Sequence, residues 1–320
     1  MNNQRMSEML KSVIKSRPLI VFFIDIILVI IFTLMSKNFL TIVNFRAIGF
    51  GMLSVGIVSI GMMIVMVTGA FDLSVGSTLA LTGIVAAKLL ESGTPIYISI
   101  LAALAVGVLI GCFNGLLITR IGINPFIATL GTMSMVRGLA LAVTQGMPVY
   151  GLPKAFAWLG EGTIFNFPFA ILLLLFLVLI FDQYLRKTVK GRLFYYTGGN
   201  EEAASLSGIN TKRVRMEAFI IVGFLAALAG VLVASRMMSM AATSGAGLEL
   251  KAIAACIIGG AALAGGEGTI IGAFLGTLLV ALIDDILILK GVSAYWQQFT
   301  SGAILVIVVT FNIFIRRIKS

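Results

Sequence analysis

Histidine is absent from the chain, which removes the commonest proton-relay residue and metal ligand. Charge is scarce as well. Only 11% of the 320 residues are charged, against 59% hydrophobic residues and a mean hydropathy of +1.10. That balance excludes a water-soluble globular domain, because too little polar surface exists to cover so much apolar surface. Cysteine is limited to Cys112 and Cys256, both inside apolar runs. They read as small core residues, and no disulfide is expected. No soluble domain, long linker or low-complexity tract interrupts the chain. No hydrolytic triad or metal-ligand cluster can be assembled, and no G-x-x-x-x-G-K-[ST] loop is present. Whatever energy source the protein uses, it binds no ATP through a Walker motif of its own, and no metal or cofactor is expected.

What is there is a succession of apolar runs. A helix needs roughly 20 apolar residues to cross hydrocarbon. On that measure the sequence predicts an all-α polytopic membrane protein, a single transmembrane domain over residues 1–320. Spans are expected near 19–36, 48–69, 74–90, 96–119, 125–145, 168–185, 216–235, 249–263, 269–289 and 296–315, about ten in all. Eight or nine remain open if the short runs are re-entrant. The basic start, Arg5 to Arg17, resembles a secretory signal, but no small-residue cleavage site follows Met35, so an uncleaved first span is expected.

A net charge of +10 can signal a nucleic-acid partner, but here the basic residues fall between apolar runs and not along one face. They read as topology signals, with lipid and no nucleic acid as the partner. With the N-terminus inside, inner segments hold 15 basic residues and outer segments 7, leaving Arg137 within a span. The positive-inside rule then puts both termini in the cytoplasm. Small residues repeat every four positions at Gly107, Gly111 and Gly115, at Ala226, Gly230 and Ala234, and at Gly272 and Gly276. Such stripes let helix backbones approach closely and predict a compact bundle.

Polar residues interrupt the apolar runs at specific places. Thr68–Ser77, TGAFDLSVGS, carries Asp72, Ser74 and Ser77 between two spans. Three readings stand. Asp72 or Ser74 can cap the helix that follows, since its first amides need acceptors. A broken helix can present polar ends to a transported solute. An ion or proton site is the third, with no basic partner near in sequence. A similar interruption, GGAALAGGEG at Gly259–Gly268, carries Glu267 in the second half, a placement that internally repeated transporters show. Further polar residues within apolar runs are Asp25, Asn114, Asn124, Thr129, Arg137, Asp284 and Asp285. Arg137 is the costliest to bury and is expected to face protein, water or headgroups. The Asp284–Asp285 pair is expected at a wetted outer end.

The longest inner connection, about residues 186–215, includes NEEAASLSG. Asn200 can cap a short helix, with Glu201 and Glu202 at the positive end of its dipole, Ala203 and Ala204 favouring helix and Gly208 ending it. A docking peg and an ordinary capped loop both fit that pattern. The stretch GGNEEAASLSGI resembles the coupling segment of bacterial ABC importer permeases. FDLSVGS, NPFIATLGTMSMVRG, LELKAIAACIIGGAALAGGEGTIIGAFLG and SAYWQQFTSGAIL resemble the ribose, arabinose and autoinducer permeases, in the same order along nearly the whole chain.

The resemblance implies a permease subunit of the bacterial inner membrane, paired with a second copy or a paralogue. It implies a cytoplasmic ABC ATPase, which would bind the ATP, and a periplasmic or lipoprotein sugar-binding protein. The expected cargo is a monosaccharide. Residues Asn200 to Ala204 and Gly208 would couple to the ATPase. An ion-coupled secondary transporter and a passive channel are the alternatives. The first would need intramembrane acid–base partners, of which the sequence offers few; neither a passive channel nor a structural membrane protein explains the EEAASLSG segment.

Overall fold

A computed structural model describes residues 17–319 of the chain. Among the described residues it contains fourteen α-helices and one short hairpin. The first half comprises α1 (Arg17–Met35), α2 (Ile42–Gly51), α3 (Leu53–Val67), α4 (Val75–Glu91), α5 (Ile96–Leu116) and α6 (Pro125–Thr144). A connecting cap follows, with α7 (Trp158–Glu161) and strands β1 (Thr163–Ile164) and β2 (Phe167–Pro168). The second half comprises α8 (Phe169–Lys187), α9 (Val189–Gly199), α10 (Glu201–Leu206), α11 (Thr211–Met237), α12 (Leu248–Ile258), α13 (Ile270–Leu289) and α14 (Ala294–Lys319).

Six of these helices are long and apolar enough to cross a membrane, and a seventh span is counted if α2 and α3 act as one. Two expectations are corrected here. The run at 48–69 does not form one straight helix: the chain turns helical at Ile42 and bends by 41° between Gly51 and Leu53. The run at 249–263 yields only the 11-residue α12, because the two glycines after Ile258 end it. At 1.5 Å per residue α12 reaches about 17 Å, roughly half the hydrocarbon thickness.

The bundle is organised around α11, which packs against α3, α4 and α5. Its apolar window is 72% buried, against 17% for α1 at the periphery. The glycine stripes set these contacts. A Cβ on Gly107 or Gly111 would overlap the α11 backbone at Gly223 and Phe219. On Gly230 it would overlap the Leu79 carbonyl of α4. Gly272 and Gly276 meet α12 backbone at Gly259 and Ala255 in the same way. Helices in lipid have little hydrophobic reason to associate, so such close approach, with its dispersion contacts, holds the bundle together.

One end of the bundle carries α9 and α10. The opposite end carries the α7 cap and the hairpin, tied to α11 through Ser235, whose hydroxyl donates to Phe156 O at 2.6 Å and accepts from Gly160 N at 2.8 Å.

Candidate functional site

The first interruption folds into a closed polar knot. Gly69, at φ +80°, turns the chain out of α3. The Asp72 carboxylate then accepts from the Ser74 amide at 2.7 Å and the Ser74 hydroxyl at 2.6 Å. Its other oxygen accepts from the Asn114 side-chain amide on α5 at 3.2 Å, and that amide also donates to the Ser74 hydroxyl at 2.9 Å. Ser77 donates to the Ser74 carbonyl at 2.9 Å. All four side chains are buried, none more than 2% exposed. The geometry is that of a helix start whose free amide finds an acceptor two residues upstream. A second helix contributes a donor to the same carboxylate, which pins α4 to α5.

The second interruption lies between α12 and α13. After Gly260 (φ +102°) and Gly265 (φ +90°), the Ala262 amide closes the turn on the Glu267 carbonyl at 3.2 Å, and the Glu267 side chain is exposed. Thr269 caps α13 by accepting from Gly272 N at 3.0 Å. Upstream of α12, the segment Ser239–Gly247 runs back into the bundle. Met240 pairs with Val149 in the cap, while a Cβ on Gly245 would sit 2.8 Å from the Gly76 carbonyl near the start of α4. Arg137, half-buried on α6, donates to the carbonyls of Ala242 and, at 2.9 Å, Ser244, so its charge serves to satisfy irregular backbone.

The segment between α8 and α11 is a folded hairpin. Thr188 caps α9 by accepting from Gly191 N at 2.9 Å. Asn200 caps α10 by accepting from Ala203 N at 2.9 Å. The end of α10 is a paired closure: Gly208 (φ +83°) donates to Ser205 O at 3.0 Å, and Ile209 to Ala204 O at 3.1 Å. Glu201 takes both guanidinium nitrogens of Arg215 on α11, at 2.9 and 2.7 Å. Between α9 and α10 lies a groove of about 350 Å³ lined by Tyr195, Tyr196, Asn200, Ala203, Ala204 and Ile209. Tyr195 donates to Gly268 O at 2.7 Å. Burial, with the Asp182 charge adding and Arg186 opposing, pushes its phenol up to about 12, so the donor stays protonated at physiological pH.

Residues 45–309 match the family described as branched-chain amino acid transport system / permease component. The chain belongs to this permease family. The permease is 40% identical over 299 residues to the autoinducer 2 import system permease protein LsrC of Enterobacter sp. (strain 638), covering 92% of this chain and 86% of that protein. It is 35% identical over 288 residues to the ribose import permease protein RbsC of Haemophilus influenzae, covering 89% of each. It is 38% identical over 279 residues to LsrC of Yersinia pestis (strain Pestoides F), covering 87% of this chain and 80% of that one. No solved structure matches the permease.

Asp72, Ser74, Ser77 and Asn114 come together although Asn114 is 42 residues from Asp72. The other expected polar residues disperse. Asn124 caps α6 through Phe126 N at 2.9 Å, and Thr129 turns back to Pro125 O at 2.8 Å within the same helix. The expectation of a wetted pair at Asp284–Asp285 is corrected in part. Asp284 is paired with Lys251 of α12 at 2.6 Å, and Asp285 is buried against the Asn44 amide of α2 at 2.8 Å. Asp25 is buried on α1 with no hydrogen-bond partner among the described residues. Sequence reading missed α9 altogether. The signals were Thr188 as a cap and the buried series Gly191, Phe194 and Thr197 at helical spacing, on one face of a chain otherwise rich in charge.

Proposed function

We propose that this permease is the membrane subunit of an ATP-driven importer carrying a monosaccharide or a sugar-like solute. The observation that carries the reading is the α9–α10 hairpin. It ends in the capped six-residue mini-helix α10 and lies on the most basic connection of a chain without a nucleotide-binding motif. Asn200, Glu201, Glu202, Ala203, Ala204 and Gly208 form the surface on which a cytoplasmic ATPase bears. Ala204 is buried beneath that surface while Ala203 and Glu202 lie open, which makes the second pair the contact and the first alanine the support.

The whole chain acts as one permease domain with ten passes. The short α4 and α12 and the terminal α14 bring seven spans to ten. In this reading both termini and the α9–α10 hairpin are cytoplasmic and the α7 cap faces a binding protein outside, which the basic bias supports. The permease works as a pair of copies, or with a paralogue, in the bacterial inner membrane. Of the polar residues, the Asp72 knot is a sealed hinge, whereas Arg137, on the Ala242 and Ser244 carbonyls, and Asp284, on Lys251, lie beside the irregular segment and α12 and can line a path.

Branched-chain amino acids are a second cargo class, because the family's description names them. The ribose and autoinducer relatives, alike to this chain over most of its length, favour the sugar. The deciding experiment reconstitutes the permease with its native ATPase and binding protein and measures hydrolysis over ribose, autoinducer 2 and leucine. Stimulation by ribose or autoinducer 2 supports the reading. Stimulation by leucine alone moves the cargo to the amino-acid class. An intact complex with no stimulation by any of the three argues for an ion-coupled carrier or a channel.

A further inference from the structure

The two glycine-rich interruptions and the coupling hairpin are distant in sequence, yet their backbones meet at one point. Gly266 N donates to Val67 O, the last carbonyl of α3, at 2.9 Å. A Cβ on Gly198 of α9 would overlap that same Val67 oxygen and lie 2.9 Å from Gly266 N. A Cβ on Gly265 would lie 2.7 Å from Gly198 O and 2.8 Å from both N and Cα of Gly69. Gly69 opens the first interruption, Gly265 and Gly266 stand in the second, and Gly198 lies in the last turn of α9, which leads into the coupling segment. The Tyr195 hydroxyl, one turn earlier on α9, fastens Gly268 at 2.7 Å.

The chemistry of this contact is unusual in what it leaves out. No side chain lies between the three backbones. Side chains absorb a displacement by changing rotamer; peptide units in van der Waals contact cannot, because their bond geometry is stiff and interiors are close-packed. A movement of α9 by a fraction of an ångström is therefore delivered undiminished to the end of α3 and to the turn before α13. From there it has two outlets. One is the short run from Gly69 to the Asp72 knot, where α4 begins. The other is Thr269 and the start of α13.

The geometry points to Gly69, Gly198 and Gly265 as a rigid transmission joint, positioned so that one push on the coupling hairpin drives both broken-helix ends at once. This rests on the reading of α9–α10 as the ATPase contact. In that reading the two interruptions act as outputs of one lever, and the two halves of the permease move in step.

Adjacent glycines supply a matched test. A Cβ on Gly198 has no room, whereas one on Gly199 meets nothing within 4 Å. Host cells lacking the chromosomal gene would be complemented with wild type, Gly198→Ala, Gly199→Ala or Tyr195→Phe. In each, membrane content of the permease, co-purification of the native ATPase, basal hydrolysis and hydrolysis with ribose-loaded or autoinducer 2-loaded binding protein are measured. Gly198→Ala is expected to keep the ATPase and its basal hydrolysis while the stimulated component falls at least tenfold. Gly199→Ala should stay within twofold of wild type in every reading. Tyr195→Phe, which removes a hydroxyl and adds no volume, should lower stimulation two- to fivefold at normal membrane content.

Full stimulation in Gly198→Ala overturns the joint. If Gly198→Ala fails to accumulate, full stimulation in Tyr195→Phe overturns it instead. A Gly199→Ala variant as uncoupled as Gly198→Ala also overturns it, since the effect would then follow the hairpin's flexibility and not the contact. Wild type that captures no ATPase overturns the coupling reading itself, and the joint with it.

Discussion

The Asp72 carboxylate accepts from the Ser74 amide, the Ser74 hydroxyl and the Asn114 amide, and among the described residues it has no cationic partner. It thus serves three donors at once: without it the Ser74 amide and hydroxyl would be stranded, while the Asn114 amide would keep only its bond to the Ser74 hydroxyl. Stranding a buried donor costs about 1–3 kcal/mol. Asn in its place keeps one acceptor oxygen for the Ser74 amide and hydroxyl, so Asp72→Asn is expected to be mild. Asp72→Leu is expected to lower folded yield and the unfolding temperature of the detergent-purified protein, at a cost of a few kcal/mol. The discriminating outcome is an Asp72→Leu protein with unchanged yield and unfolding temperature but no uptake. That would remove the capping role and place Asp72 on the solute path. The acceptor function was readable from the spacing of Asp72 and Ser74, because a side chain that bonds an amide two residues on is a local motif. Asn114 was recognised as polar and out of place, but nothing local ties it to Asp72. That link is made where α5 packs beside the start of α4, a neighbourhood set by the tertiary fold.

At the scale of helices, glycine carries most of the packing information, and it does so unevenly. Gly111 of α5 has no room for a side chain, since a Cβ there would overlap the Phe219 carbonyl of α11. Gly131 of α6 has nothing within 4 Å. Gly111→Leu is expected to force α5 and α11 apart and to destabilise the protein by at least the 1–3 kcal/mol typical of overpacking, while Gly131→Leu leaves the unfolding temperature of the purified subunit unchanged. Equal loss in both variants would show that α6 packs against something outside this chain. Element positions were largely legible: α5, α6, α8 and α13 start within a residue or two of the expected spans, because apolar composition along a run is a local property. The α2–α3 bend was not legible, since apolar residues flank it on both sides. Nor was α9, whose buried face offers one phenylalanine between a glycine and a threonine. The meeting of Gly69, Gly198 and Gly265 was beyond reach for a related reason. Each glycine looks like an ordinary turn residue, and only the folded backbone shows that three of them share one point.

The molecule as a whole has two unlike ends, and its direction across the membrane decides which partner meets which. The α9–α10 end carries Lys187, Lys190, Arg192, Lys212, Arg213 and Arg215 within one connection, and the hairpin end places Asn166 at a tight turn braced by Arg46, which donates to its carbonyl at 3.2 Å. Basic residues resist translocation, which supports the proposed cytoplasmic placement of the first end. Ser207 follows α10 and is exposed, as is Asn166 at the other end. Both can therefore be replaced by cysteine and reached by a maleimide that does not cross the membrane. The native cysteines give little background: Cys256 is buried and Cys112 lies half-buried within α5. In intact spheroplasts Asn166→Cys is expected to be labelled and Ser207→Cys protected; in inverted vesicles the pattern should reverse. Labelling of Ser207→Cys from outside would turn the molecule over. It would set the proposed coupling hairpin against the binding protein and leave the ATPase without the surface proposed for it on α10, so the importer reading depends on this asymmetry as firmly as on any residue.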